Sequence, residues 1–158
     1  MSPLAPPYVA VVGPGEATEA EIETAEAVGR GLAQAGAAVI TGGLGGVMAA
    51  ACRGASGAGG LTIGILPGGD RRAANEWASV TIPTGLGELR NGLVVRAADA
   101  VIAVGGAYGT LSEVALALKT GVPVVGLGTW GIEGIEAVDS PASAVARALE
   151  AAASARAG

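Results

Sequence analysis

Short apolar runs recur along the chain, and more polar segments separate them. Two of these runs, Tyr8–Val12 and Ala100–Val104, contain only hydrophobic residues. A short run without a polar face is typical of a strand that is buried on both sides of a sheet. Four further runs predict strands over Ala37–Ile40, Leu61–Leu66, Ala78–Ile82 and Pro123–Leu127.

The segments between these runs have helical features. Thr18 can cap a helix that is rich in glutamate in its first turns, because negative charge is favourable at a helix N-terminus, and Gly36 marks its end. Further helices are predicted over Val47–Ala55, Leu89–Ala98, Thr110–Leu118 and Pro141–Ala155. The pattern around Ile132–Val138 is weak.

Fully apolar strands that alternate with helices predict a mainly parallel sheet that is covered on both faces. We therefore expect a Rossmann-like three-layer α/β/α sandwich that forms a single domain over residues 1–158. In such a sheet, ligands bind beyond the carboxyl ends of the strands. Glycine-rich turns follow four of the predicted strands, at Gly13–Gly15, Thr41–Gly46, Gly68–Gly69 and Gly105–Gly106.

These glycine-rich turns predict the kind of ligand. Glycine allows the backbone to approach a ligand closely, and the helices that follow present N–H groups to an anion. A small phosphorylated ligand is therefore expected. For Gly13–Gly15 the alternative is a tight strand-to-helix turn without a ligand contact.

The composition excludes several kinds of site. The chain has no histidine, which removes histidine-dependent triads and His-ligated zinc or haem, and its single cysteine, Cys52, cannot form an internal disulfide. The net charge of -5 has the wrong sign for non-specific binding to nucleic acid or to an anionic membrane. We expect a cytoplasmic protein without a bound metal, a signal peptide or a membrane span.

The glycine-rich turns also depart from three well-known nucleotide and cofactor motifs. The only lysine, Lys119, follows Leu118 rather than a glycine, which excludes a Walker A loop. Gly13-Pro14-Gly15 lacks the third glycine of the dinucleotide fingerprint. Lys119 is also predicted at the sheet edge opposite the glycine-rich turns, where it cannot serve as the Schiff-base lysine of a pyridoxal phosphate enzyme.

Two segments together resemble the signatures of the LOG-like family, whose members often carry the description "possible lysine decarboxylase". They are Thr41-Gly42-Gly43-Leu44-Gly45-Gly46-Val47-Met48 and Gly105-Gly106-Ala107-Tyr108-Gly109-Thr110-Leu111-Ser112-Glu113. The best-understood members hydrolyse the N-glycosidic bond of cytokinin nucleoside 5'-monophosphates to free base and ribose 5-phosphate. The chain is most similar to a short subgroup that includes molybdenum cofactor carrier proteins.

The resemblance implies which residues form the site. It identifies Glu113 and Arg90 as the catalytic pair of a phosphoribohydrolase that requires no cofactor. The residues expected to contact the phosphate or nucleotide are Gly13, Gly42, Gly43, Asn91, Gly105, Gly106, Gly109 and Thr110. The alternative hypothesis is a non-catalytic carrier or sensor of a phosphorylated ligand, with molybdenum cofactor as the carried ligand.

Three departures from the hydrolase pattern favour the carrier. The hydrolases have a proline where this chain has Val104, a second acid where it has Val114, and Arg-Lys where it has Arg90-Asn91. For Glu113 a structural alternative is also open, because Thr110-Leu111-Ser112-Glu113 has the spacing of a capping box. For Arg90 the alternative is an ordinary surface arginine.

Several residues outside the two signatures have open interpretations. Arg71, Arg72 and Asn75 are placed either against a second phosphate or pterin-type ligand, or in a solvated loop. Trp77 and Trp130 are interpreted either as stacking residues or as part of a subunit interface. The alanine-rich helix over 142–155 and the habit of the family favour a homodimer or larger oligomer.

Overall fold

The computed structural model describes residues 5–158, and the four N-terminal residues included in the expected domain lie outside them. Seven strands form one sheet in the order β4-β3-β2-β1-β5-β6-β7, and every neighbouring pair is parallel. The strands are β1 Tyr8–Val12, β2 Ala38–Thr41, β3 Thr62–Leu66, β4 Val80–Pro83, β5 Ala100–Val104, β6 Val124–Leu127 and β7 Ile135–Val138. The α-helices are α1 Glu19–Gln34, α2 Val47–Gly57, α3 Asn91–Arg96, α4 Tyr108–Lys119 and α5 Pro141–Ala157.

The two faces of the sheet have separate hydrophobic cores. Alternate side chains of β1 point to opposite faces, so that Val9 and Val11 pack with α1, α2 and α5, whereas Ala10 and Val12 pack with α3 and α4. Because strands in the middle of the sheet are covered on both sides, they need no polar face. The predicted three-layer α/β/α sandwich is confirmed.

The first helix illustrates how local sequence sets element ends. The Thr18 side chain accepts a hydrogen bond from the Glu21 amide, and the Glu21 carboxylate accepts one from the Thr18 amide. This reciprocal capping box begins α1 at Glu19. The helix ends before Gly36, which has a φ of 84° that L residues rarely adopt.

Among the predicted elements that differ from the structure, β4 begins at Val80, two residues after the predicted start. The helix expected over Leu89–Ala98 is a 3-10 helix, Gly87–Arg90, followed by the short α3. Helix α4 begins at Tyr108, two residues before the predicted start. The weak pattern before α5 contains β7, an edge strand whose Glu136 and Ala137 are exposed. Of the described residues, no helix is long and apolar enough to cross a membrane.

Candidate functional site

The candidate site lies where the order of the strands reverses. The chain adds β2, β3 and β4 on one side of β1 and then adds β5, β6 and β7 on the other side. The loops after β1 and β5 therefore leave the sheet next to each other, and this reversal point is where open α/β sheets bind ligands. The loop after β2 lies beside them.

Arg90 is a buried residue at the centre of this edge. Only 8% of it is exposed, and its Nε donates to the Ile65 carbonyl at 2.9 Å. Its Nη2 donates to the Gly42 carbonyl at 3.3 Å, and its Nη1 donates to the Asn91 side-chain oxygen. The interpretation of Arg90 as an ordinary surface arginine is therefore wrong. Its guanidinium connects the ends of β2 and β3 to the start of α3.

Asn91 extends this network to α4. Its side-chain nitrogen donates to the Ser112 hydroxyl at 2.9 Å, and that hydroxyl donates to the Gly109 carbonyl at 2.7 Å. Asn91 and Ser112 line a cavity of about 540 Å³ beside the network, together with Gly109 and Tyr108. Ser112 was not singled out in the sequence, because only its contact with Asn91 distinguishes it from an ordinary helical serine.

Glu113 is buried on the inner side of α4. It is 7% exposed, and burial raises the pKa of its carboxyl from 4.5 to about 8, although the nearby Arg90 guanidinium lowers this pKa. Burial lowers the pKa of Arg90, and the charge of Glu113 opposes that shift. At neutral pH, Glu113 is therefore mainly protonated, and the Arg90 guanidinium keeps its charge as arginines in proteins do.

The capping-box alternative for Glu113 is wrong. Helix α4 begins at Tyr108, and its N-cap residue is Ala107, which makes no side-chain cap. Thr110 is thus inside the first turn instead of preceding it, and its hydroxyl is buried without a hydrogen-bond partner among the described residues. The amides of Tyr108, Gly109 and Thr110 have no acceptor within the helix, which suits the binding of an anion.

The glycines of the candidate site are in unlike surroundings. A Cβ at Gly13 would lie 2.5 Å from the Val104 carbonyl oxygen, and one at Gly42 would lie 2.8 Å from Nη2 of Arg90. Gly43 has a φ of 80°, and a Cβ there would lie 2.8 Å from the Leu66 side chain. These three glycines are required by packing or backbone conformation, and their contact with a ligand remains a prediction.

The loop after β5 is more open at its far end. Gly105 has a φ of 66° and lies against the Glu21 carboxylate, while a Cβ at Gly106 would lie 3.1 Å from Nε1 of Trp130. A Cβ at Gly109 would meet no atom within 4 Å. Gly109 is thus the glycine of this loop with free space around it.

The residues for which the sequence leaves two interpretations lie in different surroundings. Arg72 pairs with Asp70 at 2.8 Å on the surface, and Asn75 donates to the Leu44 carbonyl at 3.0 Å, which holds the loop after β2.

Trp77 lies under the Arg53 guanidinium, 5.5 Å from the ring centre. Trp130 stacks on Tyr108, which the sequence did not single out. Among the described residues, no group of three or more metal-binding side chains is found.

Comparison with protein-family models identifies the family of this chain. The model described as the SLOG cluster4 family matches residues 6–154. The chain belongs to the SLOG cluster4 family. This confirms the resemblance to LOG-like proteins that the two glycine signatures carry.

Similar proteins from other organisms match nearly the whole chain. An uncharacterized protein of Archaeoglobus fulgidus is 43% identical over 138 residues, which are 87% of this chain and 91% of that protein. The molybdenum cofactor binding protein of Rippkaea orientalis has a TM-score of 0.87 at 37% identity, covering 93% of this chain and 97% of that one. The molybdenum cofactor carrier protein of Chlamydomonas reinhardtii has a TM-score of 0.86 at 34% identity, covering 94% and 99%.

Proposed function

We propose that this protein binds a phosphorylated pterin-type ligand, molybdenum cofactor, and carries it without chemical turnover. The observation that carries this proposal is the burial of Val114. Its side chain is fully buried in the core beneath α4, at the position where the resemblance to the hydrolases implies their second acid. Helix α4 therefore carries one carboxyl group, Glu113, in place of an adjacent pair.

The state of that one carboxyl also favours a carrier. Cleavage of a nucleoside develops positive charge on the ribose ring, and carboxylates usually stabilise such a transition state. Because burial raises the pKa of Glu113 to about 8, its carboxyl is mainly neutral at pH 7. A neutral acid provides little of the charge stabilisation that the reaction requires.

The phosphate of the ligand is proposed to lie at the N-terminus of α4. The free amides of Tyr108, Gly109 and Thr110 supply hydrogen-bond donors there, and the helix dipole favours negative charge. The buried Arg90 guanidinium adds positive charge at this edge of the sheet. Three of its five N–H groups already donate to protein acceptors, so the guanidinium is held in place before a ligand arrives.

The relatives support the choice of ligand. The proteins from Rippkaea orientalis and Chlamydomonas reinhardtii are described as binding or carrying molybdenum cofactor. That ligand combines a phosphate with a fused pterin-derived ring system, and both parts suit an anion site beside an open cavity. The cavity next to Asn91 and Ser112 has a volume of about 540 Å³.

The carrier proposal is tested by direct binding. Molybdenum cofactor released anaerobically from a purified molybdoenzyme is mixed with the protein, and unbound cofactor is removed by gel filtration. We expect one molybdenum and one pterin per protein chain, and transfer of both to an apo-molybdoenzyme. If neither remains with the protein, the carrier proposal fails.

The phosphoribohydrolase is the second candidate, since Glu113 and Arg90 are close enough to affect each other's pKa. It is tested by chromatographic detection of free base from a panel of nucleoside 5'-monophosphates. The carrier proposal expects no base release above the rate without protein. Base release that falls about a hundredfold in Glu113→Gln would instead establish the hydrolase, because that loss is typical of removing a transition-state charge contact.

We also propose that the protein self-associates, although not mainly through α5. Three of the alanines in the expected face of α5, Ala144, Ala148 and Ala152, are buried against the sheet. The 3-10 helix, α3 and α4 instead expose a group of leucines: Leu86, Leu89, Leu93 and Leu116. Light scattering during gel filtration is expected to give a multiple of the chain mass, and Leu89→Glu is expected to shift it towards the monomer.

A further inference from the structure

Two aromatic side chains form an exposed pair at the mouth of the candidate site. The ring centres of Tyr108 and Trp130 are 6.3 Å apart, and their planes are inclined by 28°. Tyr108 is the first residue of α4, and Trp130 lies in the loop between β6 and β7. The chain has two tryptophans, two tyrosines and no phenylalanine, so half of its aromatic rings meet at this one place.

The pair contributes little to the hydrophobic core. Tyr108 is 84% exposed and Trp130 is 36% exposed. The Trp130 indole nevertheless packs closely against Gly106, because a Cβ there would lie 3.1 Å from its Nε1 and 3.4 Å from Cδ1. Glycine at position 106 thus allows Trp130 to lie on the backbone of the loop that leads into α4.

The two rings lie at the distance of a direct aromatic pair, so a third planar group enters between them only when the pair opens. Two rings that sandwich another ring must have centres about 7 Å apart, which is twice the ~3.5 Å contact distance between carbon atoms. The observed separation of 6.3 Å is short of that value by less than 1 Å. Because Tyr108 is exposed at the first position of its helix, a small rotation of its side chain opens the wedge far enough.

The surroundings of the pair indicate a polar ligand that also carries a ring. Two buried side-chain oxygens lack a hydrogen-bond partner among the described residues, and they belong to Thr110 and Thr129. Thr110 is two residues after Tyr108, and Thr129 immediately precedes Trp130. Buried hydroxyls without partners are uncommon in folded proteins and call for an explanation. Both lie in the segments that carry the aromatic pair.

We infer that Tyr108 and Trp130 form a stacking slot for the planar heteroaromatic ring of a ligand whose phosphate lies at the N-terminus of α4. The ligand class is a phosphorylated pterin or a nucleoside monophosphate, in which the ring and the phosphate are joined by a short linker. The pterin assignment rests on the proposed carrier function. The slot itself requires only a flat ring and a phosphate in the same molecule.

Calorimetric titration separates the ring contribution from the phosphate contribution. The probes are neopterin monophosphate, adenosine 5'-monophosphate, neopterin without phosphate, and inorganic phosphate. The variants are Tyr108→Ala, Trp130→Ala, Tyr108→Phe and Trp130→Phe. Tyr8→Ala is the matched control, because it removes a partly exposed tyrosine at the amino end of β1, on the opposite edge of the sheet. Urea denaturation checks that each variant is folded.

The slot predicts a specific pattern of losses. Tyr108→Ala and Trp130→Ala are each expected to weaken neopterin monophosphate binding about tenfold or more, in line with the loss of a ring stacked on an aromatic side chain. Binding of inorganic phosphate is expected to stay within about twofold of wild type, since stacking does not contribute to it. The phenylalanine variants and Tyr8→Ala are expected to bind like wild type.

Fluorescence gives a second, independent measurement. In a Trp77→Phe background Trp130 is the single tryptophan, so its emission reports on the slot alone. We expect neopterin monophosphate to quench this emission and inorganic phosphate to leave it unchanged. Equal quenching by both probes would contradict stacking at Trp130.

The outcomes distinguish this inference from the carrier proposal. If wild type binds neopterin monophosphate and the alanine variants bind it equally well, the slot is wrong and the carrier proposal stands. If wild type binds only adenosine 5'-monophosphate and the alanine variants lose it, the slot stands and the pterin carrier fails. If wild type binds neither phosphorylated probe, both fail.

Discussion

The glycine-rich loops after β2 and β5 are similar in sequence but unlike in structure. In the first loop, Gly42 packs against Arg90 and Met48, and Gly43 packs against Leu66. Gly46 caps α2 with a φ of 62° and a ψ of -129°, and a side chain there would collide with the Pro14 and Gly15 carbonyls. In the second loop, Gly109 has no neighbour within 4 Å of an added Cβ.

The difference shows that a run of glycines has two separate uses. In the loop after β2, protein atoms fill the space that side chains would need at Gly42, Gly43 and Gly46. The loop after β5 combines such positions, at Gly105 and Gly106, with an open position at the start of a helix. A ligand can approach Gly109 without displacing the protein's own atoms.

The largest expected effect comes from a side chain in the closed loop. Gly46→Ala places a Cβ against the Pro14 and Gly15 carbonyls and imposes backbone angles that are nearly restricted to glycine. We expect a loss of about 4 kcal/mol in the free energy of unfolding, measured by urea denaturation. A loss below about 1 kcal/mol would mean that the first loop is not closed.

A smaller loss in the free energy of unfolding is expected when Arg90, whose side chain fills space in the first loop, is replaced by an apolar residue. Arg90→Met keeps an unbranched side chain as far as the position of Nε, and it removes the guanidinium with its hydrogen bonds to Ile65, Gly42 and Asn91. Because two buried carbonyls then lose a charged donor, we expect a cost of about 3 kcal/mol. Arg90→Lys is the matched variant, and its single ammonium should recover only part of that loss.

The sequence predicted the centre of the sheet better than the site. The ends of β1 and β5 agree with the prediction, because a run without polar residues has one favourable environment, a strand covered on both faces. Strand β7 lies at the edge of the sheet and has an exposed Glu136 and Ala137. Its residues do not have to be apolar throughout, so its pattern was weak.

The site depends on contacts between distant parts of the chain. Arg90 was expected at the site from the family signature, but its partners Gly42 and Ile65 are 48 and 25 residues away. Tyr108 and Trp130 meet only because β5 and β6 are neighbours in the sheet. At Thr110 the sequence was misleading. It has the spacing of a capping box, but no capping box forms because α4 begins two residues earlier than predicted.

The stability of the protein is expected to respond to pH through Glu113, which lies in the helix that follows the second loop. Its pKa is raised from 4.5 to about 8 in the folded protein, so between these values the folded chain holds a proton that the unfolded chain has released. The contribution of Glu113 to the free energy of unfolding is therefore fully present below about pH 4.5 and is lost as the pH rises through about 8. Between pH 6 and pH 8 this one group accounts for about 2 kcal/mol.

Glu113→Gln isolates this contribution, because glutamine has nearly the same shape and does not titrate. Denaturation of wild type and variant is followed across pH 6 to 8, and the difference between the two is plotted against pH. We expect the variant to gain relative to wild type as the pH rises. A difference that does not change with pH would show that Glu113 is ionised throughout.

The smallest change in stability is expected from a single methyl group added at Gly109. This variant is also the most direct test of the comparison between the two loops. Gly109→Ala adds a Cβ that has space and favours the helix, so the free energy of unfolding should rise by up to about 1 kcal/mol. Side-chain bonds on a helix tilt towards its N-terminus, where the phosphate is proposed to lie. The methyl group should therefore weaken the binding of neopterin monophosphate.

Gly57→Ala is the matched control, because it adds the same methyl group at an open helical position. Gly57 ends α2, at the sheet edge opposite the candidate site. Both variants are expected to gain stability, and only Gly109→Ala should lose affinity in calorimetric titration. Unchanged affinity in Gly109→Ala would show that no ligand approaches this glycine, and the open loop would then differ from the closed one in packing alone.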